Sequence, residues 1–383
     1  MEQRGTTVAP LADLDGLREL VSRPGPVLTA YVAFEPATEA IAAEARLRWD
    51  ARRRALAAED VPEAALAAVD RALEGAHRGA AGLAVIVPGD GGEAHVERLT
   101  TAPQEEARCA AVPGLRALVA GRQRHLPHVV ALVDRTGADL RAWTGGDPAE
   151  DELTTTVTGE DEVIRKVGGG GWSHRRFQQR AEDSWHHNMG QVANELAALA
   201  DKVHARVVAV GGDERAVGYL LDALPAGVRE RVHRIGATRA ADGSQAHLDD
   251  EVGAELDAWC AERVDAVLAL HAEELGQGDR ATEGAGRTLE ALRAARVATL
   301  LVAEGDPGGG VADRQVWVGP TPDQVATTLG DLAAPDAAVA APLLDAAVAA
   351  ALASGADVVT IPPDEDGDYP EALRDGLGAL LRW

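Results

Sequence analysis

The chain has 383 residues, 46% of them hydrophobic but only 3% aromatic, and a formal net charge of −25. That length exceeds what one hydrophobic core ordinarily serves and predicts two or three domains with aliphatic cores. A chain this acidic repels polyanions as a whole, which excludes a protein that binds nucleic acid over its entire surface and leaves only local cationic sites for such contact.

The two cysteines, Cys109 and Cys260, belong to no Cys-x-x-Cys or Cys/His spacing, which argues against a disulfide framework or a structural metal. Met1-Glu2-Gln3-Arg4 leads into no apolar signal segment, and the alanine-rich tract near 333–353 is interrupted by Pro335, Asp336, Pro342 and Asp345. A soluble cytoplasmic protein is expected, with no membrane association, no metal and no cofactor.

In chain order, a short helix is predicted near 11–22, then a buried strand at Val27–Val32 after Pro24-Gly25-Pro26, then a long helix near 38–58. On that helix Arg46, Arg48, Arg52, Arg53 and Arg54 outnumber the acids, so it is either a solvated face or a second RNA-facing patch. Strands follow at 83–87 and 95–99. Residues 128–143 alternate apolar and polar on either side of a turn at Asp134-Arg135-Thr136-Gly137 and read as a β-hairpin. Coming after Pro127, the hairpin opens a second domain, which continues through a strand at 162–167, a glycine run, one long helix and a buried strand at 206–211. The small polar stretch 236–245 reads as a linker. Beyond it come helices near 249–275 and 281–294, strands at 297–302 and 315–318, a helix near 336–353 and a strand at 357–361. The expected fold class is α/β, in three domains: 1–126, 127–240 and 248–383.

The most informative segment runs from Arg165 to Arg180. It contains Arg165, Lys166, Arg175, Arg176 and Arg180 with no acid, and between them lie Gly168-Gly169-Gly170-Gly171 and Trp172-Ser173-His174. Four glycines cost much backbone entropy to order, so inside a domain they mark a loop that bends sharply or approaches a surface closely. Ser173 stands where an N-cap belongs, and a helix start beside arginines suits phosphate. Behind it, Trp185, Met189, Val192, Leu196, Leu199 and Val203 recur at helical spacing as a core stripe, while Arg176, Arg180 and His187 share the opposite side. A nucleotide-binding P-loop is excluded because no Gly-Lys-Ser/Thr follows the glycines. His186 and His187 are adjacent, so they diverge on a helix and do not form the i, i+4 pair of a zinc helix.

The glycine loop with its helix through Trp185-His186-His187-Asn188, the hairpin about Asp134-Arg135-Thr136-Gly137 and the closing Gly376-Leu377-Gly378-Ala379-Leu380-Leu381-Arg382-Trp383 resemble the archaeal and eukaryotic class-1 release factor and Pelota superfamily. The likeness is to its bacterial branch, which includes ribosome hibernation factors. It implies a three-domain architecture whose last domain is similar to the kink-turn-binding ribosomal proteins. It also implies entry into the ribosomal A site with the glycine loop directed at the peptidyl-transferase centre, and elongation factor Tu and peptidyl-tRNA as further partners. The superfamily's release loop is Gly-Gly-Gln, whereas here Gly170-Gly171 is followed by Trp172, and the codon-reading Asn-Ile-Lys-Ser is absent.

The expectation is therefore a factor of idle or stalled ribosomes, with Gly170, Gly171, Trp172, Ser173, His174, Arg175, Arg176 and Arg180 facing rRNA. Arginine would pair with phosphate and Trp172 would stack on a base. No catalytic residue is assigned. The alternative is a peptidyl-tRNA hydrolase that uses Ser173, His174 or Gln178 to orient water.

Overall fold

The computed structural model describes residues 10–23, 25–34, 39–74, 76, 80–145, 152–158, 172–237, 245–278, 280–370 and 373–383; for helical residues 39–42, 172–184 and 245–246 the description stops at the backbone. The chain forms two compact units, Met1–Gln123 with Ala261–Trp383, and Arg124–Cys260.

The N-terminal part of the first unit contains α1 (Asp15–Val21), β1 (Val27–Ala33), α2 (Glu39–Ala58), α3 (Glu63–Ala72), β2 (Gly82–Pro88), β3 (His95–Leu99), β4 (Glu106–Ala110) and α4 (Arg116–Arg124). β1, Val-Leu-Thr-Ala-Tyr-Val-Ala, is buried at its first six positions, as an inner strand covered on both faces should be. It pairs antiparallel with β2 and β4 in the order β3-β2-β1-β4. Leu28, Ala30 and Val32 pack with Trp49, Leu56, Leu66 and Val69 of α2 and α3. Val27 and Tyr31 point the other way, toward Leu17 and Leu118 of α1 and α4.

The second unit opens with β5 (His128–Asp134), β6 (Gly137–Trp143) and β7 (Glu152–Thr158), continues with α5 (Trp172–Lys202), β8 (Val207–Gly212), α6 (Glu214–Ala223), α7 (Ala226–Arg229) and β9 (Val232–Arg234), and takes in the first half of α8 (Gln245–Gln277). The sheet order is β7-β6-β5-β8-β9, with β5-β8 and β8-β9 parallel and the others antiparallel. The hairpin predicted at 128–143 is present, in the register that puts Asp134 opposite Gly137. One sheet face, with Val129, Ala131, Val133, Leu140, Val208 and Val210, packs against α5 and α6. The other, with Val130 and Ala209, packs against Leu248 and Val252 of α8. The strand expected at 162–167 lies outside the described residues.

The C-terminal part of the first unit comprises the rest of α8, then β10 (Ala281–Glu283), α9 (Ala285–Arg293), β11 (Val297–Ala303), β12 (Gln315–Val318), β13 (Val325–Ala326), β14 (Val339–Pro342), α10 (Leu343–Ala353), β15 (Asp357–Ile361) and β16 (Leu377–Leu381). A mixed sheet runs β10-β16-β11-β15, and a small antiparallel one runs β13-β12-β14. The helix expected at 281–294 starts later, because Gly284 at φ +77° turns the chain between β10 and α9. The helix expected from 336 starts at Leu343. Before it lie a short 3-10 turn at Pro335–Ala337 and strand β14, which ends at Pro342. The architecture is mixed α/β, as expected.

Candidate functional site

α5 is 31 residues long, about 46 Å at the α-helical rise. Its C-terminal half is anchored as the 3.6-residue period predicts: Met189, Val192 and Leu196 are fully buried and Val203 nearly so, all against the sheet. Ser173, His174, Arg175, Arg176, Gln178 and Arg180 all lie on its first turns, after Trp172 at the first helical position. The helix thus begins one residue before Ser173, which falls in the first turn rather than at the cap. Gly170 and Gly171, with the rest of the glycine run and with Arg165 and Lys166, lie outside the described residues.

Trp185 departs from its expected core role. It is half-buried, and the Arg135 guanidinium carbon stands over its ring, 5.6 Å from the centroid. The 3.6-residue period places Trp185 on the same stripe as Met189, but here that stripe reaches the turn of the hairpin. His186 and His187 part ways as expected of adjacent helical residues. The His186 ring tilts onto Tyr219 of α6 with centroids 4.1 Å apart, and His187 lies 3.1 Å from the Gln191 amide. Among the described residues no group of three metal-capable side chains converges.

The hairpin turn is built by its own sequence. Asp134 Oδ1 accepts from the Thr136 backbone N–H at 2.7 Å, the Thr136 hydroxyl at 2.7 Å and the Gly137 N–H at 3.0 Å, an Asx-type closure. Asn188 of α5, buried, donates from Nδ2 to the Arg135 carbonyl at 3.3 Å. The adjacent β8–α6 corner is fixed to the same strand end, since the Asp213 N–H donates to Val133 O at 3.0 Å. The Asp213 side chain then caps α6 through the N–H groups of Arg215 and Ala216. The carboxyl ends of the parallel pair β5-β8, where open α/β sheets place ligands, therefore meet α5 at Trp185 and Asn188. Sequence reasoning read Asp134 as a turn residue, which it is, but missed Arg135 and Asn188. Their pairing joins positions 53 residues apart, and no local pattern announces it.

Three arginines of α2, Arg46, Arg48 and Arg53, are paired with acids of this chain. Arg48 Nε donates to both carboxylate oxygens of Glu105 at 2.9 and 3.0 Å, and its terminal nitrogen donates to Ala33 O. Arg53 bonds Asp70 at 3.0 Å and also pairs with Glu63. Arg46 lies between Asp50 and Asp70. Of the two readings of that helix, the RNA-facing patch is not supported at Arg46, Arg48 and Arg53.

The second unit is thus an α/β domain in which a hairpin and a parallel strand pair carry one long helix whose sequence start is basic and follows a glycine run. Residues 127–277 match the family described as bacterial archaeo-eukaryotic release factor family 2. The resemblance stated from the sequence therefore holds over the segment that carries the hairpin, the glycine run and α5. Among solved structures, the chain is similar to Archaeoglobus fulgidus Pelota, at 15% identity and TM-score 0.37 over 100% of this chain and 96% of that one. It is also similar to an archaeal Pelota in a ribosome-bound assembly, at 13% identity and TM-score 0.38 over 99% and 96%. An archaeal translation termination factor follows at 15% identity and TM-score 0.24 over 97% and 96%. No curated protein matches. No described helix is long and apolar enough to cross a membrane.

Proposed function

We propose that this chain is a cytoplasmic, ribosome-associated translation factor that occupies the A site of idle or stalled ribosomes, with the loop 168–171 directed at the peptidyl-transferase centre. The observation that carries the reading is the family match over 127–277, a segment that includes the acid-free cationic stretch 165–180 of an otherwise strongly acidic chain. Local arginines supply rRNA contacts, while the negative bulk suppresses nonspecific RNA binding. Gly170 and Gly171 allow close backbone approach, Trp172 stacks on a base, Ser173 and His174 line the tip, and Arg175, Arg176 and Arg180 pair with phosphates. Peptidyl-tRNA and elongation factor Tu are the further partners in this reading. Occupancy rather than hydrolysis is proposed, because no glutamine follows Gly171, while Gln178 and Gln179 lie within α5.

Co-sedimentation with ribosomes, for the wild type and for Arg175→Glu with Arg176→Glu, tests it. The double reversal is expected to weaken binding by on the order of tenfold or more at moderate salt and to flatten its salt dependence, since each lost phosphate contact removes about one released counterion. Equal binding by both forms would remove the role given to the helix start. Release of labelled peptide from a stalled complex would replace occupancy with hydrolysis.

A further inference from the structure

Arg135 is the first of the two turn residues between β5 and β6 and is exposed, yet it does not swing freely. Its guanidinium stands over the Trp185 ring on α5, and its carbonyl oxygen accepts the Asn188 amide. Asn188 is 2% exposed, and its Oδ1 is buried with no hydrogen-bond partner among the described residues. A stranded buried acceptor costs stability that an apolar side chain would not, so the amide is explained by what its Nδ2 does, which is to hold the turn against the helix.

The nearest turn carboxylates are occupied by the fold. Asp134 closes the hairpin, and Asp213 caps α6. No carboxylate among the described residues pairs with Arg135. The other arginine above a tryptophan differs in this respect: Arg141, 5.0 Å from the Trp143 centroid, is tied to Glu152 at 2.5 Å. An exposed arginine held at cation-π distance over an indole and uncommitted to an acid offers its flat guanidinium to an aromatic ligand with partial negative charge. An unpaired nucleobase has that chemistry.

We propose that Arg135, held over Trp185 and positioned by Asn188, is a stacking site for an unpaired RNA base, separate from the glycine loop. Its physiological RNA rests on the ribosome-binding reading, but its chemistry does not. The test is fluorescence anisotropy of a labelled single-stranded oligoribonucleotide titrated with the full chain, run beside ribosome co-sedimentation, on the wild type and on Arg135→Ala, Arg135→Lys and Asn188→Ala. Arg135→Ala and Arg135→Lys are each expected to weaken oligonucleotide binding about tenfold, the lysine because it keeps the charge but loses the plane. Asn188→Ala is expected to weaken binding while circular dichroism remains that of the folded chain.

Wild-type affinity in Arg135→Lys would reduce the residue to a phosphate contact and overturn the proposal, as would unchanged binding by Arg135→Ala or no oligonucleotide binding by the wild type. Lowered stability without lowered affinity in Asn188→Ala would remove its positioning role. Arginine-dependent oligonucleotide binding without ribosome co-sedimentation would sink the A-site reading and leave the stacking site standing.

Discussion

Two glycines bring the strand ends of the candidate site together. Gly212 has φ +127°, and a Cβ there would lie 1.9 Å from the Val133 carbonyl oxygen; at Gly137 it would lie 1.9 Å from the Val157 oxygen. Both obstacles are backbone, so neither can rotate away. Gly212→Ala is expected to cost about 3 kcal/mol or more, from a strained dihedral and an overpacked strand pair together. Gly218, exposed on α6 with nothing within 4 Å of an added Cβ, is the internal control, and Gly218→Ala is expected to stabilise by about 0.5–1 kcal/mol. Urea denaturation of the two variants should move the midpoint in opposite directions.

Glu97 gives a pH-dependent counterpart in the first unit. Burial pushes its carboxyl up, but hydrogen bonds from His95 at 3.1 Å and Arg122 at 2.6 Å, with the arginine charge, outweigh burial and hold it below the ordinary carboxylate value. A depressed folded-state pKa contributes stability that is fully present above the unfolded value, about 4.3 for glutamate, and is lost as pH falls through the folded one. Glu97→Gln should therefore be less stable than wild type at neutral pH, with the gap closing below about pH 4. A constant gap across urea melts from pH 3 to 7 would contradict this linkage.

At the scale of elements, the sequence announced what is periodic and local. β1 and β8 are short runs of apolar residues, the 128–143 hairpin alternates around an Asp-Arg-Thr-Gly turn, and α5 repeats its apolar residues at three and four. Elements without an apolar signal escaped. β7, Glu-Leu-Thr-Thr-Thr-Val-Thr, is an edge strand exposed at every position but Leu153 and Val157, and it is marked by its pairing with β6 rather than by its own composition. α10 carries no polar face to mark its start, since Leu343 through Leu352 are all buried, so its beginning is set by Pro342. The arginines of α2 read as an uncommitted patch because their acids lie elsewhere: Glu63, Asp70 and Glu105 are 10, 17 and 57 positions from the arginines they bind. For the candidate site, the legible part was the helix behind the glycines. The contact of the hairpin turn with α5 was not legible, because it exists only once β5, β6 and the helix are assembled. Leu196, fully buried in that assembly, provides its measure: Leu196→Ala is expected to cost about 3 kcal/mol by equilibrium denaturation. A cost under 1 kcal/mol would mean that α5 is not seated on the sheet as described.

At the scale of the whole chain, the first and last thirds of the sequence share one core, although 137 residues of the second unit intervene between Gln123 and Ala261. Leu17, Tyr31 and Leu118 belong to the same cluster as Leu292, Leu300, Leu344 and Val348. Two polar clasps accompany that cluster. Gln123 and Thr360, both buried, exchange hydrogen bonds at 3.0 Å in each direction. Asp345, in the first turn of α10 with its side chain 4% exposed, binds Arg108 of β4 and the Arg116 Nε at 3.1 Å, while Arg116 also donates to the carbonyls of Glu304 and Gly305 at 3.0 Å. A carboxylate this buried contributes little net energy against its desolvation, but removing it leaves the Arg116 guanidinium without its anion and Arg108 with Glu106 alone. Asp345→Ala is accordingly expected to destabilise the first unit by about 3–5 kcal/mol. Because the clasp joins segments from both ends of the sequence, the loss should be felt in both. Native-state hydrogen exchange should quicken in β4 and α4 as well as in α10 and β15, while β5, β8 and the C-terminal half of α5 keep their protection. Faster exchange confined to α10 would show instead that the two ends fold as independent cores.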